Sequence, residues 1–362
     1  MLFLTRWFGV TPSDGDRTLA DEKACIDEIV EKILLGQKQA AAKDHCPLHR
    51  GTHAKGVAAR AQFEVFDVKS GRDRALAARL AQGIFRTPGI YRCVIRFSNS
   101  DPRVNSDFMP DVRAVSFSVE LDRDGAAVPD GGAARQDFSL QNARTFPIND
   151  LPAMLAAMKY ITASNPAAGL WSLSFKDKLR MLRTLALVTP QAHQKIKPYQ
   201  QLSFWSNVPF RHGPADVVRY SLLASPDNPA QRLQRSNPKT LQDELIRHLV
   251  EDSEMSRFDF GIQFLDAGRM TYWGKRHDVN FWIENASVAW KEAEAPFHTV
   301  GRLTLLSKSQ FGQEAGEAIY FDVNGHSTPE SRPLGGINRG RAYAEMASRK
   351  ARMQRIDDKA PL

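Results

Sequence analysis

The sequence predicts an α+β fold organised around a mostly antiparallel β-sheet. Apolar and polar residues alternate at a period of two in several segments, and these segments form two clusters separated by a helical middle. No strand-helix-strand alternation of the kind that builds a parallel sheet connects them. The chain has 362 residues, 42% hydrophobic and 25% charged, long enough to bury a large core without disulfides or metals.

Each element follows from local pattern. Thr18 followed by Asp21 reads as a helix start, and Ile26, Ile29, Val30, Ile33 and Leu34 recur on one face, so an amphipathic helix is predicted to about residue 42. A loop, HCPLHRGTHAKG, comes next. Tyr91, Cys93, Ile95 and Phe97 then alternate with Arg92, Val94, Arg96 and Ser98, and Val115, Phe117, Val119 and Leu121 alternate with Ser116, Ser118 and Glu120. Both are strands with one packed and one polar face. The glycine-rich DRDGAAVPDGG at 122–132 predicts a long hairpin loop. Helices are predicted at 151–161, 170–188 and 241–250, with a last one opening near Asn338. Phe258, Phe260, Ile262 and Phe264 mark another strand, and 286–290 and 300–306 two more. With no repeat, low-complexity tract or linker, the chain divides into an N-terminal helical arm (1–44), a single domain (45–352) and a C-terminal tail (353–362).

Lys plus Arg (49) exceed Asp plus Glu (41), giving a net charge of +8 that favours anionic ligands or surfaces. The longest basic stretch, Arg349, Lys350, Arg352 and Arg355, reads as a solvated helix face, so no nucleic-acid partner is expected. Three cysteines, Cys25, Cys46 and Cys93, form no disulfide framework and point to a reducing, cytoplasmic setting. The opening MLFLTRWFGV lacks a basic n-region and a cleavage site, and it is expected to pack onto the protein rather than serve as a signal or an interfacial hook. No segment offers the ~18 apolar residues of a membrane span.

His45, His49 and His53 are spaced by four beside Cys46, which suggests a soft-metal site. Pro47 and Gly51 prevent the helix that would align them, and no second ligand cluster exists, so no structural zinc is expected. Phosphate-binding glycine loops, a G-x-S-x-G elbow and an H-E-x-x-H helix are all absent, which weakens hydrolase and nucleotide-enzyme readings.

An ordered series of short motifs remains. THAKGVAARAQFEV (52–65), VIRFSNS (94–100), DVRAVSFSV (111–119) and DFSLQNARTFPIND (137–150) resemble the core of the haem catalases. NVPFRHGPADVVRYSL (207–222), FDFGIQF (258–264), the segment 290–297 and RPLGGINRGRAY (332–343) resemble the shorter catalase-related peroxidases. The resemblance, over roughly residues 45–350, implies an antiparallel barrel of about eight strands with haem b held between barrel and surrounding helices. It also implies a homo-oligomeric haem peroxidase that reduces hydrogen peroxide or organic hydroperoxides with an unidentified electron donor. The chain stops soon after the helix that would carry the iron ligand, so a more open pocket than in large catalases is expected. Rearrangement of a lipid hydroperoxide and a haem-free catalase-like binding protein are the alternative readings.

Peroxide chemistry and the resemblance together assign roles. Heterolysis of an O–O bond needs a neutral imidazole to move a proton between the two oxygens, and His53 matches the distal histidine. Asn142 matches the distal amide that positions peroxide, and Ser98 the serine that orients the histidine. Arg50 and Arg96 stand where propionate-binding arginines are placed, with Arg352 or Lys350 as a third, and Phe97 is expected near the macrocycle. The axial iron ligand of this family is a tyrosinate, ionised with the help of an arginine one helical turn earlier. Arg339 and Tyr343 have that spacing, and Tyr343 is the expected ligand. The register of the shorter relatives runs instead from Arg341 to Glu345, and placing Arg352 as the third propionate partner favours it too.

Overall fold

A computed structural model of the chain describes residues 20–45, 50–121, 135–229 and 233–357. The alternating segments become strands β1 (Gly56–Val65), β2 (Gly89–Asn99), β3 (Arg113–Glu120), β4 (Arg135–Gln141), β5 (Phe204–Trp205), β6 (Phe210–His212), β7 (Asp216–Ala224), β8 (Ser256–Phe264) and β9 (Phe297–Gln310). They pair antiparallel in the order β5-β4-β3-β2-β1-β9-β8-β7, and a β5–β7 pairing closes an eight-stranded barrel, with β6 added beside β7.

The period of two decides which side chains the barrel encloses. Val57, Ala59, Ala61 and Phe63 of β1 point inward, as do Cys93, Ile95 and Phe97 of β2 and Phe258, Phe260 and Ile262 of β8, all buried. Phe117 and Phe138 stack at 4.9 Å between ring centroids, and Phe260 meets Phe138 at 5.2 Å and Phe63 at 5.3 Å. Aromatic packing of this kind fills the interior and leaves no lumen for a ligand. Any site must therefore lie against the outer wall.

Nine helices are described: α1 (Ala20–Lys43), α2 (Arg74–Leu80), α3 (Leu151–Ile161), α4 (Pro166–Trp171), α5 (Phe175–Ala192), α6 (Thr240–Ile246), α7 (Val279–Glu284), α8 (Gln313–Ala318) and α9 (Gly336–Asp357). Ile26 and Ile29 of α1 pack on Leu151 of α3. A Cβ on Gly340 would lie 2.5 Å from Leu151 Cδ2, so glycine lets α9 close on α3. Arg339 of α9 reaches Glu22 of α1 (2.6 Å) and Glu284 of α7 (3.2 Å), all three side chains being buried. This ion triad fixes the rotation of α9 about its own axis.

Several predicted elements differ. The helix expected at 170–188 is interrupted at 172–174, where Ser172 N–H donates back to the Ala168 carbonyl to end α4 and Ser174 Oγ caps α5 by accepting from Asp177 N. The strand expected at 286–290 is a turn, because Val288 N–H donates back to the Asn285 carbonyl. The pattern at 241–250 splits into α6 and a π-turn over Arg247–Glu251. Helix α9 runs on through 353–357, inside the expected tail. The loop at 122–132, residues 46–49 with Cys46 and His49, and the first 19 residues lie outside the described residues. Among the described residues no helix is long and apolar enough to cross a membrane.

Candidate functional site

Strand parity carries the functional side chains to the outer wall. On β2, Arg96 and Ser98 alternate with the inward Ile95 and Phe97, and they share the outer face with Ser116 of β3 and Ser139 of β4, whose hydroxyls hydrogen-bond at 3.1 Å. This face, the loop at 50–53 and helices α1, α3, α5 and α9 line a cavity of 1110 Å³, just above the range usual for small-molecule sites (~300–1,000 Å³).

His53 sits at the start of that wall. Its backbone adopts φ +59°, a left-handed conformation rare for a residue with a Cβ, held by its N–H donating to the Ser100 carbonyl at 3.3 Å. Nδ1 lies 2.8 Å from the Asn99 carbonyl and 3.2 Å from Ser98 Oγ. A carbonyl only accepts, so Nδ1 carries the ring proton and Nε2 keeps its lone pair on a ring that lines the cavity. Burial, reinforced by the guanidiniums of Arg341, Arg96 and Arg50, pushes the His53 pKa down to about 4. The imidazole is therefore neutral near pH 7, ready to accept a proton.

Beside it three arginines converge. Arg50 Nε donates to Glu317 Oε2 at 3.0 Å and Arg96 Nη2 to Glu317 Oε1 at 3.1 Å, while Arg50 Nη2 and Arg352 Nη1 donate to the Glu317 carbonyl at 2.9 and 3.1 Å. Arg96 also clamps the His53 carbonyl at 3.0 Å, which ties the cluster to the histidine loop. A Cβ on Gly56 would come 2.5 Å from Arg96 Cζ, so glycine there makes room for the guanidinium. Burial, then the neighbouring Arg96 and Arg352 charges, pushes the Arg50 pKa down to about 9. Burial alone would raise Glu317, but Arg96 and Arg50 outweigh it and hold its carboxyl below the usual range.

Helix α9 turns Gly340, Arg341, Ala344, Glu345, Ser348 and Arg352 to the cavity. Arg341 Nε donates to Glu345 Oε1, and Glu345 Oε2 is buried with no hydrogen-bond partner among the described residues. Tyr343, the expected iron ligand, lies on the opposite face, 45% exposed and near Lys23, and the structure does not bring it to the cavity with the other predicted residues. Arg339, expected to polarise that phenol, belongs to the buried ion triad with Glu22 and Glu284.

Two further predicted residues also lie away from the cavity. Asn142 does not line the cavity, because its Oδ1 accepts from Arg113 N at 2.7 Å across the end of the β3–β4 ladder. The side-chain amides that do line it are Gln39, Gln141 and Asn207, and Asn207 Oδ1 is buried without a partner among the described residues. Phe97 lies inside the barrel, stacked on Tyr199 at 5.1 Å, with the wall between it and the cavity. Sequence reasoning missed Glu317, which no motif marks, and Tyr320, the one tyrosine lining the cavity among the described residues, lying between Arg135 and Arg349. No group of three His, Cys, Asp or Glu among the described residues is arranged to hold a metal ion by itself.

No family model matches the sequence, and no curated protein matches it. Solved structures do. The chain superposes on catalase A from Saccharomyces cerevisiae with a TM-score of 0.62 at 18% identity, covering 84% of this chain and 61% of that one. The chain has the catalase fold. A fungal catalase (TM-score 0.61, 16% identity, 84% and 59% covered) and a bacterial catalase (0.54, 15%, 95% and 62%) agree. The chain thus spans about three-fifths of the length of these catalases.

A haem needs a cavity of its size, guanidiniums for its propionates and an axial donor. The catalase-fold cavity meets the first, and Arg50, Arg96 and Arg352 the second. For the third, Glu345 offers Oε2, without a partner among the described residues, an oxygen donor of a different class from tyrosinate. The residues fit the group, with a carboxylate where a phenolate was expected.

Proposed function

We propose that this catalase-fold chain is a haem-dependent enzyme acting on hydrogen peroxide or organic hydroperoxides, in which the Glu345 carboxylate would be the residue that holds the iron. His53 supports this reading most directly: a neutral ring, fixed in one tautomer by Asn99, that offers Nε2 to a large cavity. Haem iron, when bound, supplies the redox chemistry of O–O cleavage. The chain supplies the proton path. His53 Nε2 takes the proton from the nearer peroxide oxygen and returns it to the farther one, which leaves as water or an alcohol, so the ring ends neutral as it began. Ser98 and the Asn99 carbonyl hold the ring in place, and Asn207 Oδ1, without a partner among the described residues, offers an acceptor that would orient a peroxide O–H. Arg50, Arg96 and Arg352 hold the propionates, and Arg341 pairs with the Glu345 carboxylate.

A haem-free binding protein is the second reading, favoured by the Glu317 carboxylate already lodged among the arginines. The test is the reaction of haem-loaded protein with hydrogen peroxide followed by stopped-flow absorbance. His53→Ala should lower the rate ~100-fold or more with haem content kept, the typical worth of general acid–base assistance. Equal rates in variant and parent would refute the assignment.

A further inference from the structure

Glu317 sets its carboxylate on two of the arginines that line the cavity. Its side chain makes two hydrogen bonds, to Arg50 Nε at 3.0 Å and Arg96 Nη2 at 3.1 Å. The backbone beneath is anchored separately: Arg50 Nη2 holds the carbonyls of Glu317 and Ile319, and Arg352 Nη1 that of Glu317. The side chain is 36% exposed. It can therefore rotate away from the arginines without unseating α8, and the two hydrogen bonds that it gives up can be remade to another carboxylate.

We propose that Glu317 is a built-in competitor for the arginine cluster and determines its specificity: a ligand carboxylate that engages Arg50 and Arg96 must displace Glu317. The ligand considered is the haem of the reading above, on which this inference rests for its physiological meaning. The displacement itself is a property of the chain.

The test compares parent, Glu317→Ala and Glu317→Gln, the last keeping side-chain size in case the alanine variant folds poorly. Haem and its dimethyl ester are titrated into each apo-protein, with binding followed by quenching of tryptophan fluorescence. Both variants should bind haem at least ~10-fold more tightly than the parent, a decade being a modest value for relief from a charge-assisted contact. The ester, lacking carboxylates, should bind all three alike. Unchanged or weaker haem binding in the variants, or an equal gain for the ester, would overturn the inference. A second arm uses no haem: sodium acetate, against chloride at equal ionic strength, should raise the Tm of Glu317→Ala by ~2 °C or more beyond any effect on the parent. Equal shifts would overturn it. Haem that binds none of the proteins would sink the proposed function, and the acetate arm would then decide this inference alone.

Discussion

His53 links the site to stability through pH. The ring has an ordinary pKa of 6.5 when exposed and about 4 in the fold, first because of burial and then because of Arg341. Between those values the unfolded chain binds a proton that the folded chain refuses, so stability falls as pH drops through this window and is complete above it. At 1.36 kcal/mol per pH unit, a gap of that width corresponds to about 3 kcal/mol. The perturbation is His53→Gln, which does not titrate and keeps an amide N–H for the Asn99 carbonyl. Urea unfolding of both apo-proteins at several pH values gives two curves, and groups other than His53 cancel in their difference. Relative to the variant, the parent should hold a constant difference above pH 7 and lose about 3 kcal/mol by pH 4. Parallel curves would show that His53 is not held neutral, and the proton path would lose its base.

Two other substitutions probe the frame of the site. Arg339→Met leaves Glu22 and Glu284 buried without their shared cation and should cost about 3–5 kcal/mol in urea unfolding, as breaking buried ion pairs does; a loss under about 1 kcal/mol would mean that the triad does not hold α9. Gly56→Ala pushes a methyl against both the Arg96 guanidinium and the Phe97 carbonyl oxygen, each 2.5 Å from the added Cβ, and should weaken haem binding by ~10-fold or more, and unaltered affinity would show that both have room to move.

Much of the barrel was legible because its interior accepts only apolar side chains, so parity along each strand shows through. That parity also places Phe97 opposite Arg96 and Ser98, which is why it could not flank the ligand that they face. The phase of α9 was not legible. Tyr343 and Glu345 each follow an arginine by four, and what separates them is the fit of Gly340 against Leu151 and of Arg339 between Glu22 and Glu284. Those contacts join positions far apart in the chain. Glu317 was invisible for the same reason, since its arginines lie 221 and 267 residues away. Asn142 was misplaced because a single residue of slippage at the end of β4 moves a side chain to the other face.

The central claim is that the cavity binds haem with Glu345, and not a tyrosine, on the iron. Titration of ferric haem into the parent, Glu345→Gln, Tyr343→Phe and Tyr320→Phe, followed in the Soret and charge-transfer regions, tests it most directly. The account predicts saturation at about one haem per chain in the parent, loss of haem or an altered spectrum in Glu345→Gln alone, and parent spectra in both tyrosine variants. A parent without a saturable Soret band, or a tyrosinate spectrum abolished by Tyr343→Phe or Tyr320→Phe, would contradict it.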